Sequence, residues 1–455
     1  MIDKVKIVYL LGIGGIGMSA LARYFNHFGC SVSGYDKTST ALTTQLSKEG
    51  ISIHFDDKVE LLPPQLRVGK QNEEILIIYT PAIPKDHLQL NFLKQNGFNL
   101  IKRSEVLGEI TKNSNSIAVA GTHGKTTTST LIAHIFKNSG NRVNAFLGGI
   151  SGNYNTNLLL SENAQQTVVE ADEYDRSFLR LFPNVAVITS MDPDHLDIYG
   201  DAKEMVKCYN LFAQQVKSNG VLFYKYSLPV DLTKGTFTYG FDTHADYYAH
   251  NIKIVNGEYC FDLKTPTENI KEIKVGLPGR HNVENAAVAF AVALHEGLQI
   301  EKIKEGIKSY KGAKRRFEYI IKSESLVFID DYAHHPEELR ACISSVKEMY
   351  PGKKVLGIFQ PHLFSRTRDF ANEFAKSLDL LDEVVLLEIY PARELPIEGI
   401  NAQMLLNKIT NNKKYLISKD ELATFVKSQN ANVILTLGAG DIDKLVEPIK
   451  NALLA

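Results

Sequence analysis

The apolar run Ile117-Ala118-Val119-Ala120 passes without a polar break into Gly121-Thr122-His123-Gly124-Lys125-Thr126-Thr127-Thr128, and a helix-like segment follows from Ser129 to Asn138. A strand that stops on a glycine turn and restarts as a helix admits few folds. Its backbone N–H groups converge on one point, which is the arrangement an anion needs. Lys125 adds a positive charge for the outer phosphates of a nucleotide, and the Thr126 hydroxyl can take a place on Mg²⁺. The general phosphate-loop spacing asks for a glycine five residues before Gly124, where Val119 stands. The pattern is therefore half met, and a plain polar strand-to-helix turn stays open on this stretch alone.

A chain of 455 residues is too long for one core and suggests about three domains. Its 51 Lys and Arg nearly balance 52 Asp and Glu, so no global basic footprint points to nucleic acid. Cys30, Cys208, Cys260 and Cys342 are scattered and form no Cys-x-x-Cys pair, which argues for a reducing, cytoplasmic setting and against structural zinc. Lys4 and Lys6 precede an uncharged run from Ile7 to Ala22, loosely like a signal peptide, but Gly12, Gly14, Gly15 and Gly17 would break its apolar helix. No run approaches the roughly twenty apolar residues of a membrane span, so no membrane insertion is expected.

In the first segment, residues 1–107, Val5 to Leu11 reads as a buried strand that runs into Gly12-Ile13-Gly14-Gly15-Ile16-Gly17 and a helix from Met18 to Phe28. A second strand, Ser31 to Tyr35, ends on Asp36. This is the first half of a Rossmann-like nucleotide-binding unit: the glycines admit a pyrophosphate, and Asp36 is placed for a ribose or base. Alone it predicts NAD binding. A further strand, Ile75 to Tyr79, meets Thr80-Pro81-Ala82-Ile83-Pro84 at a strand end where ligands of open sheets sit, although a loop without contacts is equally open.

The middle segment, 108–313, places two acid-bearing strand ends after the phosphate loop. Thr167 to Val169 leads to Glu170-Ala171-Asp172-Glu173-Tyr174-Asp175, and Val185 to Ser190 leads to Met191-Asp192-Pro193-Asp194-His195-Leu196-Asp197. In a mostly parallel sheet both ends fall on the edge that carries Gly121, where carboxylates and an imidazole near ATP phosphates suit one or two Mg²⁺ ions. Leu277 to Asn285 opens an alanine-rich helix, in which Asn282 and Asn285 either read an adenine edge or cap the helix start.

The last segment, 314–455, opens with Lys314-Arg315-Arg316-Phe317-Glu318, an interdomain joint whose arginines are a solvated linker or a phosphate clamp. Strands at 326–329, 354–359, 383–389 and 432–437 alternate with helices, which predicts a second Rossmann-like parallel sheet. Their ends carry Asp330-Asp331-Tyr332-Ala333-His334-His335-Pro336 and Gln360-Pro361-His362-Leu363-Phe364-Ser365-Arg366-Thr367-Arg368, a concentration of histidine and arginine suited to an anionic substrate.

Taken together these motifs resemble the Mur ligases, ATP-dependent amide-forming enzymes of peptidoglycan precursor synthesis, over essentially the whole chain. Asp-Asp-Tyr-Ala-His-His-Pro and Gln-Pro-His-x-x-x-Arg-Thr-Arg point to the alanine-adding branch. The resemblance implies three α/β domains, with a Rossmann-like N-terminal domain for the UDP part of UDP-N-acetylmuramate, a central P-loop ATPase-like domain and a C-terminal Rossmann-like domain. It makes the shortened Gly121–Thr127 loop a family form and reassigns the first glycine turn from nicotinamide to the UDP-substrate. It further implies ATP and Mg²⁺ as cofactors, with Gly121, Thr122, His123, Gly124, Lys125, Thr126 and Thr127 on the phosphates and Thr126, Glu170 and His195 on metal. Asn282, Asn285, Arg316 and Asp331 match nucleotide-contacting positions, and Tyr332, His334, His362 and Arg366 surround the incoming L-alanine. His334 is a candidate base or positioning group. Family members often carry arginine after Gln-Pro-His where this chain has Leu363, so the alanine carboxylate rests more on Arg366. Lys203 and Lys207 lie where some branches carry a carbamylated lysine, and neither is assigned that role. A monomer or weak homo-oligomer is expected. Competing readings are a nicotinamide dehydrogenase, a ligase that attaches a whole tripeptide to the same UDP-sugar, and a non-catalytic nucleotide-binding regulator.

Overall fold

The computed structural model describes residues 4–194, 196–232, 235–255, 257–392 and 394–455. Three sheets follow one another along the chain. The first runs in the order Ser52–His54, Ser31–Tyr35, Ile7–Leu11, Ile75–Tyr79, Leu100–Lys102, all pairings parallel. Its central strand is apolar throughout because helices cover both faces: Val8 to Leu11 are fully buried, and the helix Ile16–His27 buries Met18, Leu21 and Phe25 against one side. The stretch that loosely resembled a signal peptide is therefore a core strand and its following helix.

The second sheet has ten strands: Asn269–Val275, Glu258–Lys264, Tyr247–Val255, Thr236–Gly240, Val221–Lys225, Val185–Ile188, Ser116–Ala120, Gln166–Glu170, Val143–Phe146 and Leu158–Leu159. Ser116–Ala120 lies between Val185–Ile188 and Gln166–Glu170, parallel to both. That register brings the C-terminal ends of these three strands to one edge, as the sequence implies. Helix Lys125–Asn138 buries Leu131, Ile132, Ile135 and Phe136, each worth roughly 1.5–3 kcal/mol of transfer free energy. Helix Ile300–Ser309 approaches it through Gly306, where a Cβ would stand 3.0 Å from the Ile135 Cα.

The third sheet runs Glu318–Lys322, Val327–Asp331, Val433–Leu437, Val355–Phe359, Glu383–Leu386, Lys414–Leu416. It is parallel except for its first strand, which is antiparallel to Val327–Asp331. The expected joint at 314–318 thus leads straight into an edge strand. Arg315 and Phe317 hold φ of 61° and 51°, a tight left-handed passage for non-glycine residues.

By contact the chain divides into two compact units: 1–250, 262–271 and 285–309 in one, and 251–261, 272–284 and 310–455 in the other. The first unit holds the five-stranded sheet and most of the ten-stranded one, and the second holds the six-stranded sheet. Among the described residues no helix is long and apolar enough to cross a membrane.

Candidate active site

In the first sheet, Gly12 and Thr80 meet at the C-terminal ends of Ile7–Leu11 and Ile75–Tyr79. Gly12 has φ +88°, and a Cβ there would lie 2.5 Å from the Thr80 methyl, so the turn closes only on glycine. Asp36 Oδ2 accepts the Gly14 N–H at 2.7 Å and Oδ1 accepts the Thr38 N–H at 3.1 Å. The carboxylate expected to face a ribose therefore also holds the glycine turn in shape. A Cβ at Gly15 would make only ordinary contact, 3.5 Å from Gly12 O, whereas Gly17 lies under Arg103, whose Nη1 would be 2.4 Å from a Cβ there. Arg103 reaches on to Asp172 at 3.2 Å, and Lys102 pairs with Asp175 at 2.7 Å. Gly17, Arg103, Phe146, Gly148, Glu170 and Asp172 line a small cavity of about 70 Å³ between the glycine turn and the acidic strand end. No motif in the sequence singles out Lys102, Arg103 or Gly148, since only the three-dimensional approach of two sheets gives them a role.

The phosphate loop leaves Ser116–Ala120 with Gly121 at φ +135° and Gly124 at φ +83°, the latter capping the helix Lys125–Asn138. The loop is pinned to the neighbouring strand end: Thr122 donates its hydroxyl to Asp192 O at 2.7 Å, and the His123 N–H donates to Ser190 Oγ at 2.7 Å. The Lys125 ammonium donates to Gly121 O at 2.6 Å, Thr122 O at 3.2 Å and Glu173 Oε1 at 2.8 Å. Burial works against its charge, but Glu173, Glu170 and Asp172 outweigh that and hold it above the usual lysine range. Burial pushes the Glu173 carboxyl up to about 7, with Lys125 pulling down and Asp172 adding to the rise. Asn285 Oδ1 accepts the Thr128 hydroxyl at 3.2 Å and stands 3.0 Å from where a Gly124 Cβ would be, so it reaches the loop. Asn282 donates to Pro278 O at 2.6 Å, a local bond back across the helix start.

Thr126 is buried, and Glu170 sits over Gly148, where a Cβ would fall 2.0 Å from Oε2. A threonine hydroxyl and carboxylate oxygens form a donor set that suits Mg²⁺. His195, the remaining expected metal ligand, lies outside the described residues.

In the second unit, Asp331 accepts the N–H groups of Phe317 at 2.7 Å and Ala333 at 2.8 Å. Burial lifts it to about 6 against Arg316 and these two bonds, with Glu338 adding a little. The two arginines of the joint differ. Arg315 bonds Asp330 at 3.0 Å and Gly438 O at 2.6 Å and braces the sheet, whereas Arg316 lies 3.7 Å from Glu338 with its guanidinium 5.0 Å from the Tyr332 ring centre. His334 Nδ1 is 3.0 Å from Tyr332 O and 3.2 Å from Glu338 Oε2, and its ring meets that of His362 at 6.1 Å. His362 stacks on Tyr390 and lies 3.5 Å from Arg366 Nη1. Tyr332, His334, His362 and Arg366 thus lie in one cluster. Glu338, its acidic hub, is absent from the expected set, although its i+4 spacing from His334 is a visible signal. Leu363 holds φ +70°, and its N–H donates to Tyr390 O at 3.0 Å.

Three sheets, with a glycine turn and its acid on the first and a lysine-bearing phosphate loop beside carboxylates on the second, define an α/β protein of the phosphate-loop class, and a cluster of histidine and arginine stands at the strand ends of the third. The chain belongs to the Mur ligase family. Residues 7–115 match the description "Mur ligase family, catalytic domain", 119–293 "Mur ligase middle domain" and 315–440 "Mur ligase, glutamate ligase domain". The chain is 53% identical over 452 residues, 99% of each chain, to the UDP-N-acetylmuramate–L-alanine ligase of Flavobacterium psychrophilum. It is 50% identical over 454 residues to the same enzyme of Porphyromonas gingivalis, covering 98% of this chain and 99% of that one. The crystal structure of the UDP-N-acetylmuramate-alanine ligase of Thermotoga maritima superposes with a TM-score of 0.82 at 27% identity over 98% of both chains. A murein peptide ligase of Psychrobacter arcticus shares the fold, with a TM-score of 0.70 at 21% identity over 98% of both chains.

Proposed function

We propose that this chain joins L-alanine to the lactyl carboxylate of UDP-N-acetylmuramate in peptidoglycan precursor synthesis, with ATP converted to ADP and phosphate through an acyl phosphate. The observation that carries this reading is Lys125 seated at a strand end among Glu170, Asp172 and Glu173, in a chain about half identical along its length to alanine-adding ligases. The division of labour is read by segment: residues 1–107 hold the UDP part, 108–313 the ATP, and 314–455 contact the amino acid and the nucleotide. The nucleotide-linked substrates put the reaction in the cytoplasm.

A carboxylate is a poor acyl donor, so its oxygen first displaces ADP from the γ-phosphorus. Lys125 and the loop N–H groups stabilise the charge on the transferring phosphoryl group. Thr126 and Glu170 would hold Mg²⁺, which when bound neutralises phosphate charge. Asn285, Arg316 and Asp331 are read as nucleotide contacts. The alanine amine must lose protons before it attacks the acyl carbon. Tyr332 O and Glu338 both accept at His334 Nδ1, which supports a tautomer with the proton there and a basic Nε2. Arg366 supplies the cation for the alanine carboxylate.

Phosphate release measured with UDP-N-acetylmuramate and a panel of acceptors tests the reading. Alanine is expected to drive turnover, and serine, glycine and the wall tripeptide far less. Preference for the tripeptide would move the chain to the recycling branch, and NAD(H) binding would revive the dehydrogenase reading.

A further inference from the structure

The Lys125 ammonium has three N–H donors, and all three are engaged inside the protein. Two go to the carbonyls of Gly121 and Thr122 and the third to the Glu173 carboxylate. The lysine side chain is 14% exposed and that of Glu173 only 2%. The neighbouring acids have other partners. Asp172 is held by Arg103 and by the Tyr174 N–H, Asp175 by Lys102, and Glu170 is seated over Gly148. Glu173 is anchored through its own backbone, since the Tyr199 hydroxyl donates to its carbonyl at 2.6 Å. The geometry places one buried, fixed carboxylate on the charge that a nucleotide phosphate must capture.

We propose that Glu173 is a positioning residue that occupies Lys125 until nucleotide arrives, so that ATP and ADP bind in competition with an internal carboxylate. The proposal rests on reading Gly121–Thr128 as the ATP loop. A phosphate oxygen reaches Lys125 only if one of the three bonds is surrendered. The carbonyl bonds belong to the loop's own shape, so the bond to Glu173 is the one exchanged. The incoming phosphate then brings negative charge beside a carboxylate that water scarcely reaches, where repulsion is weakly screened. Glu173 thereby loosens nucleotide and hastens departure of ADP. Glu173→Gln keeps the size and an acceptor oxygen and removes the charge.

The test is titration calorimetry at pH 8 with ADP and, separately, UDP-N-acetylmuramate, on the full chain and its Glu173→Gln, Lys125→Ala and doubly substituted forms. Glu173→Gln is expected to tighten ADP at least about fivefold and to leave UDP-N-acetylmuramate unchanged. In the Lys125→Ala background the same substitution is expected to change ADP affinity by less than about twofold, because the effect runs through the lysine. Unchanged or weaker ADP binding with normal UDP-substrate binding overturns the proposal. So does a tightening that persists without Lys125, which would mark a general field of the carboxylate. If Lys125→Ala alone binds ADP as tightly as the parent, the reading of the loop fails instead. Should Glu173→Gln melt early, Glu173→Asp takes its place: the shorter acid keeps the charge but withdraws it from Lys125, and ADP affinity must again rise.

Discussion

At the scale of single residues, two ionisable groups make separable predictions. Burial raises Glu173 from 4.5 to about 7 in the folded chain. Between those values the folded state binds a proton that the unfolded state has released, so its contribution to stability is full below pH 4.5 and is lost as pH climbs through 7. The difference is on the order of 3 kcal/mol. Glu173→Gln removes the titration, so its melting temperature is expected to fall less than the parent's between pH 5 and pH 7.5. Parallel curves from the two proteins would rule this out. His334 is the second case. With Nδ1 facing Tyr332 O and Glu338, its Nε2 is the atom left to take a proton from the alanine amine. His334→Ala is expected to lower kcat about a hundredfold. An effect confined to KM for alanine would reduce the histidine to substrate positioning.

At the scale of elements, the strand ends carry the site, and most of them are legible in the amino-acid sequence itself. An apolar run followed by glycine or acid announces a buried parallel strand that delivers its last residue to one edge, and Gly121, Glu170 and Asp331 all stand at such ends. The strands Thr236–Gly240, Tyr247–Val255 and Asn269–Val275 lack that signal. Tyr247–Val255 buries only Tyr247 and Ala249, and Asn269–Val275 buries only Ile270, Ile273 and Val275. Half-exposed strands carry little apolar signal of their own, and what defines them is the neighbour they pair with. Arg103 and Gly148 are hidden for a related reason: each acts through a residue brought near by another element. The strand-to-helix turn also sets a limit on change. A Cβ on Gly121 would lie 2.1 Å from Thr189 Oγ1 and 2.8 Å from the Ser190 nitrogen, at a φ of +135°. Gly121→Ala is expected to cost roughly 1–3 kcal/mol of stability and to raise KM for ATP at least about tenfold. Thermal melting and an ATP titration check it, and parental values in both would show that the loop yields more easily than this geometry implies.

At the scale of the whole molecule, the chain's two compact units bear on how it unfolds. Two-state unfolding is a property of small single domains, and 455 residues in two units fall outside that range. Calorimetry is therefore expected to show a calorimetric enthalpy larger than the van't Hoff value, from two overlapping transitions. A ligand stabilises the unit that binds it by RT ln(1 + [L]/Kd), about 2.7 kcal/mol at a hundredfold excess over Kd. UDP-N-acetylmuramate, read as binding the glycine turn of the first unit, is expected to raise the transition of that unit. The other transition should stay in place. The assignment is checked by Gly121→Ala, which weakens the first unit and should lower the same transition that the UDP-substrate raises. A single transition with equal enthalpies, moved as a whole by the ligand, would mean that the units unfold as one cooperative body. The division into two compact units would then describe packing density and carry no independent stability.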